Sequence, residues 1–213
     1  MPMDIAPYVD PDCTAVIVSE CQNAVLGKHS ALAGLVAAVD ASNMVQNIAT
    51  LLACARQHRV KIFHCLVARR KDGYGDPLNT PLSQMMARRA GAASGMAEGS
   101  IGAQPIAALA PQPEDIVIAR LHGMTAFHET GLDHFLRNSG IRNIIFTGVS
   151  LNVAVFGGAL EAVNRGYRVV IPSDCVAADP PQFGQLLLQH SLRNMAYITR
   201  GSTIESVWNS GSS

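Results

Sequence analysis

Along this 213-residue chain, residue types that could do chemistry recur where short apolar runs stop. Ala15-Val16-Ile17-Val18 stops at Ser19-Glu20-Cys21-Gln22-Asn23, and Val60-Lys61-Ile62-Phe63 stops at His64-Cys65. Ile116-Val117-Ile118 stops at Ala119-Arg120-Leu121-His122, and Asn143-Ile144-Ile145-Phe146 stops at Thr147-Gly148-Val149-Ser150, with a helix expected to open near Asn152. Glu20 supplies a carboxylate for general acid or base work. Arg120 can fix an anion through a two-point contact. Gln22, His64, His122, Ser150 and Asn152 are candidates for holding a polar substrate, and backbone N–H groups at a helix start suit an anion. A nucleophile is harder to find. Cys21 adjoins Glu20, but alternation along a strand sends neighbours to opposite faces, so its thiol is expected to be buried. Ser150 has no evident base beside it.

Those residues meet only if the runs are neighbouring strands. In an open parallel sheet, ligands lie beyond the carboxyl ends of the strands, near the point where strand order reverses. Two further β-rich runs, 167–171 and 195–198, complete a set of about six. Helical stretches are expected at 45–58, at 133–139 before Gly140, at 152–164, and at 182–194 after Pro180-Pro181. Strands alternating with helices imply right-handed crossovers and a doubly wound, Rossmann-like α/β domain: three layers, α/β/α, around a parallel sheet. One domain is expected over 1–213. The segment 70–112 breaks the rhythm, with a turn-rich start and a small-residue stretch at 91–102, and reads as a functional flap or a mobile loop. Within it, Met85-Met86 is expected to pack an inserted helix. Arg69, Arg70 and Asp72 read as a solvated charged turn, with a substrate loop as the alternative.

Composition narrows the function classes. With 48% hydrophobic and 15% charged residues the chain is no disordered polyelectrolyte. Sixteen basic and sixteen acidic residues balance, and no basic run marks a nucleic-acid or anionic-membrane partner. No apolar stretch reaches spanning length, and Met1-Pro2-Met3-Asp4 lacks a basic leader, so a cytoplasmic protein acting on a small molecule is expected. The five cysteines are scattered without a C-x-x-C pair, which points to neither a disulfide framework nor zinc. No cofactor is expected.

Five pieces, in order, carry a resemblance: Glu20-Cys21-Gln22-Asn23, then Asp115 to Arg120, Thr125-Ala126-Phe127 to Leu132, Gly148-Val149-Ser150-Leu151-Asn152-Val153, and Gly166-Tyr167-Arg168-Val169 to Asp174. Together they resemble the isochorismatase-like hydrolases, a superfamily that also holds nicotinamidases and N-carbamoyl amidohydrolases. Most members use an Asp, a Lys and a nucleophilic Cys. The resemblance puts Glu20, Arg120 and Ala154 at those positions; counted back from Phe127 the Lys position is Leu121, which implies a one-residue insertion. Glu keeps the carboxylate, Arg keeps the charge but cannot release a proton, and Ala removes the covalent route. True isochorismatases also lack the Cys and cleave a vinyl ether by carboxyl-assisted protonation. The resemblance therefore implies a Cys-independent hydrolase of a small, anionic metabolite, with a vinyl ether, amide or related bond, or alternatively a non-catalytic member that binds a small ligand or an oligomeric partner. It further implies a cis peptide at Val149–Ser150 and a homo-dimer or tetramer. The nicotinamidase Asp-x-His metal pattern is missing around His64, so no bound metal is expected.

Overall fold

The computed structural model describes residues 4–90 and 95–211. Met1-Pro2-Met3, and residues 91–94 of the small-residue stretch, lie outside the described residues. Six parallel strands form one sheet: β1 (Thr14–Ser19), β2 (Lys61–Val67), β3 (Ile116–Arg120), β4 (Asn143–Gly148), β5 (Arg168–Pro172) and β6 (Tyr197–Thr199). The spatial order is β3-β2-β1-β4-β5-β6. The chain winds outward from β1 to β3, returns to β4 beside β1, and winds outward again to β6. The carboxyl ends of β1 and β4 are therefore the place where strand order reverses.

Sequence explains which strands are central. Every residue of β1 and β4 is buried, as unbroken apolar runs covered on both faces require. β3 is an edge strand whose burial alternates, leaving Val117 half exposed. At the reversal point the backbones come close: a Cβ on Gly148 (φ +93°) would sit 2.2 Å from the Ser19 carbonyl oxygen, so only glycine fits.

Eight α-helices are described: α1 (Asn23–Leu26), α2 (Ala33–Ser42), α3 (Met44–Gln57), α4 (Pro81–Ala90), α5 (Leu132–Asn138), α6 (Phe156–Asn164), α7 (Pro181–Leu186) and α8 (Gly201–Ser210). Apolar residues of α3 and α8, among them Ile48, Leu51 and Trp208, pack with Val16, Val18 and Ile62 on one face of the sheet. Leu132 and Leu136 of α5 and Ala159 and Ala162 of α6 pack with Ile17, Phe63 and Phe146 on the other. The indole of Trp208 donates to the Val9 carbonyl at 2.6 Å, tying α8 to the segment before β1. The doubly wound three-layer arrangement is the one the sequence implies.

Several details differ from the sequence expectations. β2 continues two residues past Cys65, to Val67, which moves His64 from the strand end into the body of the sheet. The stretch expected as one helix over 182–194 is α7, then a π-helical turn Leu187–Ser191 and a 3-10 turn Leu192–Asn194. The helix expected from 152 likewise opens with a π-helical turn, Leu151–Val155, before α6. α2 shows little periodicity in the sequence, because Ala, Val and Leu surround its axis. It meets α3 at a 60° bend, where Asn43 takes the left-handed conformation (φ 53°) that short polar side chains tolerate. α8 has no local capping residue; the Asp174 carboxylate, 27 positions earlier, accepts from the Gly201 N–H at 2.8 Å. Among the described residues no single helix is long and apolar enough to cross a membrane.

Candidate active site

β1 ends by turning a carboxylate sideways. Glu20 has φ 51°, a left-handed conformation that interrupts strand alternation immediately past Ser19. Its N–H still donates to the Cys65 carbonyl at 2.8 Å, so the turn is anchored to β2. Cys21 then enters the α3 side of the core, where burial and, secondarily, the Glu20 charge push its thiol up to about 12. It is a buried thiol and no nucleophile.

Arg120 reaches Glu20 from the end of β3. Its Nη2 donates to Glu20 Oε1 at 2.5 Å, and its Nε donates to the Gly123 carbonyl at 3.2 Å. Gly123 can present that carbonyl because it has φ +75° and lacks a Cβ, which would lie 2.3 Å from the His128 ring. Both charged side chains are largely withdrawn from solvent, Arg120 at 7% and Glu20 at 15% exposure. They lie on the wall of a cavity of about 1220 Å³ beyond the strand ends, which Ser150 and Val153 also border. The Val149–Ser150 peptide is cis, as the resemblance implies. Ala154 is buried directly beyond Val153, at the position where the resemblance looks for a thiol.

The remaining sequence candidates separate. Gln22 is fully buried: its Nε2 donates to the Val67 carbonyl at 2.9 Å, and its Oε1 accepts from the Val67 N–H at 2.7 Å. It clamps β1 to β2 and does not border the cavity, because both ends of its amide are spent on backbone. His64 also falls away from the cavity, a consequence of the longer β2. Its Nε2 lies 3.4 Å from Asp115 Oδ2, and Asp115 is held by Arg56 at 2.6 Å and by the Gln112 N–H at 2.8 Å. Burial lowers the His64 pKa below its ordinary value, opposed by Asp115, so this is a neutral core imidazole. His122 is exposed on the loop after β3, outside the cavity wall, because Arg120 and not the next residue but one turns inward. Asn152 is half-buried within the π-helical turn, off the cavity, with no hydrogen-bond partner for Oδ1 among the described residues. The N–H of Val153, part of the expected anion-binding turn, is already donated to the Ser150 carbonyl at 3.1 Å.

One cavity residue carries more weight than its sequence reading as a solvated turn. Arg69 is half-buried on the cavity wall, and its Nη1 donates to the Leu121 carbonyl at 2.8 Å. Burial lowers its pKa, Asp76 opposes that shift, and the neighbouring Arg120 adds to it. The signal was present in the apolar run that continues through Leu66-Val67-Ala68: a strand of that length delivers the residue after it to the crevice. Among the basic groups that border the cavity are Lys28, Arg69, Lys71 and Arg120, against Glu20, Asp72 and Asp76. Asp72 is engaged by Arg70 at 2.7 Å, which leaves the cavity with surplus positive charge. Among the described residues no group of three His, Cys, Asp or Glu side chains gathers as metal ligands.

Comparison with known proteins agrees with this geometry. The Isochorismatase domain family matches residues 14–203. The ureidoacrylate amidohydrolase RutB of Methylorubrum extorquens is 29% identical over 197 residues, covering 87% of this chain and 77% of that protein. The RutB protein of Pseudomonas syringae pv. syringae is 33% identical over 90 residues, which is 42% of this chain and only 36% of that relative's length. Among solved structures, a cysteine hydrolase from Pseudomonas syringae pv. phaseolicola superposes with a TM-score of 0.79 at 25% identity, covering 95% of each chain. The strand order, the polar cluster at its reversal point and a match spanning nearly the whole sheet lead to one conclusion: this chain belongs to the isochorismatase family of hydrolases.

Proposed function

We propose that the protein hydrolyses a small anionic metabolite, at a vinyl ether, amide or related bond, without a covalent enzyme intermediate. The observation that carries this reading is the Glu20–Arg120 contact on the wall of a large cavity, with Ala154 buried one residue beyond the cavity-lining Val153. Among the described residues no thiol borders the cavity and no base sits beside the Ser150 hydroxyl, so water is the nucleophile and Glu20 the group that moves protons. Arg120 accepts no proton; it orients Glu20 and presents its remaining N–H groups to a developing or resident negative charge. Surplus positive charge along the wall favours an anionic substrate. Relatives named as amidohydrolases place amides and carbamoyl compounds beside vinyl ethers among the substrates to try.

A non-catalytic binder is the second reading, and the same ion pair favours it in one respect: Arg120 already holds Glu20 through Oε1, as a structural pair would. Turnover separates the two. A panel of vinyl ethers, amides and carbamoyl compounds, assayed with wild type and Glu20→Gln, is expected to show wild-type hydrolysis of at least one class and its loss in the variant. Wild-type turnover at background across the panel, together with ligand-induced rises in melting temperature, would establish the binder instead.

A further inference from the structure

α4 faces the wrong way for a helix of a doubly wound domain. Leu82, Ser83, Met86 and Ala87, spaced as one helical face, border the cavity instead of the sheet. Leu82 is 37% exposed and Leu78, just before the helix, 54%. Apolar surface of this kind is ordinarily buried against the core, and each exposed side chain forgoes the stabilisation that burial brings. The described side-chain hydrogen bonds around α4 are local, between Thr80 and Ser83 and from Gln84 to the Leu78 carbonyl. Leu32, Met96 and Met124 continue the same apolar lining across the cavity. Two of these are methionines, whose unbranched, polarisable side chains adapt to ligands of varied shape.

The lining is thus of two kinds: Glu20, Arg120 and Arg69, with Lys28, Lys71, Asp72 and Asp76, are charged, and Leu32, Leu78, Leu82, Met86, Met96 and Met124 are apolar. The volume of about 1220 Å³ exceeds the usual upper range of about 1,000 Å³ for small-ligand pockets and is far more than a small polar metabolite fills. We propose that the substrate is a carboxylate-bearing amphiphile, its anionic head among Arg69 and Arg120 and an extended apolar chain covering the inner face of α4. This rests on the hydrolase reading for the identity of the site and adds the class of compound that fits it. The arginines select the head, and the apolar face of α4 on the same cavity selects the tail.

The test is calorimetric titration of the whole chain with straight-chain carboxylates from butanoate to decanoate, alone and as the double variant Leu82→Asn/Met86→Asn. Wild type is expected to gain affinity with length, up to about fourfold per methylene. The double variant, altered only on a face turned away from the core, should keep its melting temperature and lose that dependence, while Arg69→Gln should weaken every member alike. Affinity independent of chain length, or a dependence that survives in the double variant, overturns the proposal. A flat series accompanied by conversion of an oligomer to a monomer in the double variant would also overturn it, assigning the α4 face to a second copy. Because binding is read without turnover, a length-dependent series with no hydrolysis of any panel compound sinks the hydrolase reading alone. Hydrolysis with a flat series sinks this proposal alone.

Discussion

β3 carries an arginine–carboxylate pair at each end, and the two are built for opposite purposes. Just before the strand, Asp115 is closed off: Arg56 contacts it through Nε and Nη2, the Gln112 N–H occupies the same carboxylate, and His64 lies beside it. At the far end, Glu20 has one described partner, Arg120, through Oε1 alone, and it borders the cavity. Both are carboxylates in ion pairs with arginine. What differs is whether the second oxygen and the surrounding volume have been filled. A carboxylate bonded on all sides serves the fold, and one bonded on one side remains open to a substrate or a water.

The comparison breaks first at Glu20. Glu20→Gln should lower kcat/KM by about 10²- to 10⁴-fold on any substrate found, the usual worth of a general acid–base group, and should also lower the urea midpoint because it strands Arg120 at 7% exposure. Equal activity in wild type and variant would make the two ends of β3 alike. Asp115→Asn should cost stability and spare the kinetics. Removing the charge strands Arg56 against its apolar surroundings and costs about 2 kcal/mol in urea unfolding, less than a fully buried pair because Arg56 is 22% exposed, while the kinetic constants of the surviving folded protein hold.

A smaller effect concerns pH. His64 is held neutral by burial, so its pKa in the folded chain lies below the ordinary 6.5 it recovers on unfolding. The unfolded chain then binds the extra proton first, and stability contributed by the neutral ring is complete above about pH 6.5 and falls as the pH drops from there toward the folded value. Stability measured against pH should therefore slope downward on the acid side, by at most about 1.4 kcal/mol per pH unit for this one group, and the slope should lessen in His64→Gln. If the slope is unchanged, His64 is not the titrating group. The smallest effect is expected at Arg70, whose pair with Asp72 lies in solvent at 56% and 55% exposure. Arg70→Ala should leave the melting temperature unchanged within measurement, which a thermal scan in low and high salt would check.

How much of this was legible in the sequence depended on where the information sat. Central strands announced themselves, since a strand covered on both faces must be apolar throughout, and β1 and β4 are. Glu20 and Arg120 could be found because strand ends at a switch point are few. The end of β2 lies two residues beyond where the sequence points, because a buried histidine inside an apolar run looks like a strand end, and that shift takes His64 out of the site and brings Arg69 into it. Gln22 reads as a ligand contact until its two backbone partners, 45 positions away, are in view. α8 could not be seen to begin at Gly201, since the group that caps it comes from Asp174. In each case the missing fact was a long-range partner, which a local pattern does not encode.

The clamp at Gln22 has a further meaning when taken with its neighbour. Gln22 grips Val67, where the chain leaves β2 for the insertion, and its Nε2 also contacts the Gly102 carbonyl at 3.4 Å, where the chain returns. Asn23 fastens the same return leg through the carbonyls of Ile101, Gln104 and Pro105. Both roots of the insertion are thus bolted to two consecutive residues close to Glu20, so that its ends are fixed by side chains outside it. Doubling the length of such a closed loop costs only about 0.6 kcal/mol. The described part of the insertion, α4 included, is in that sense an exchangeable cartridge: it can be lengthened, shortened or rewritten while its two roots keep their places.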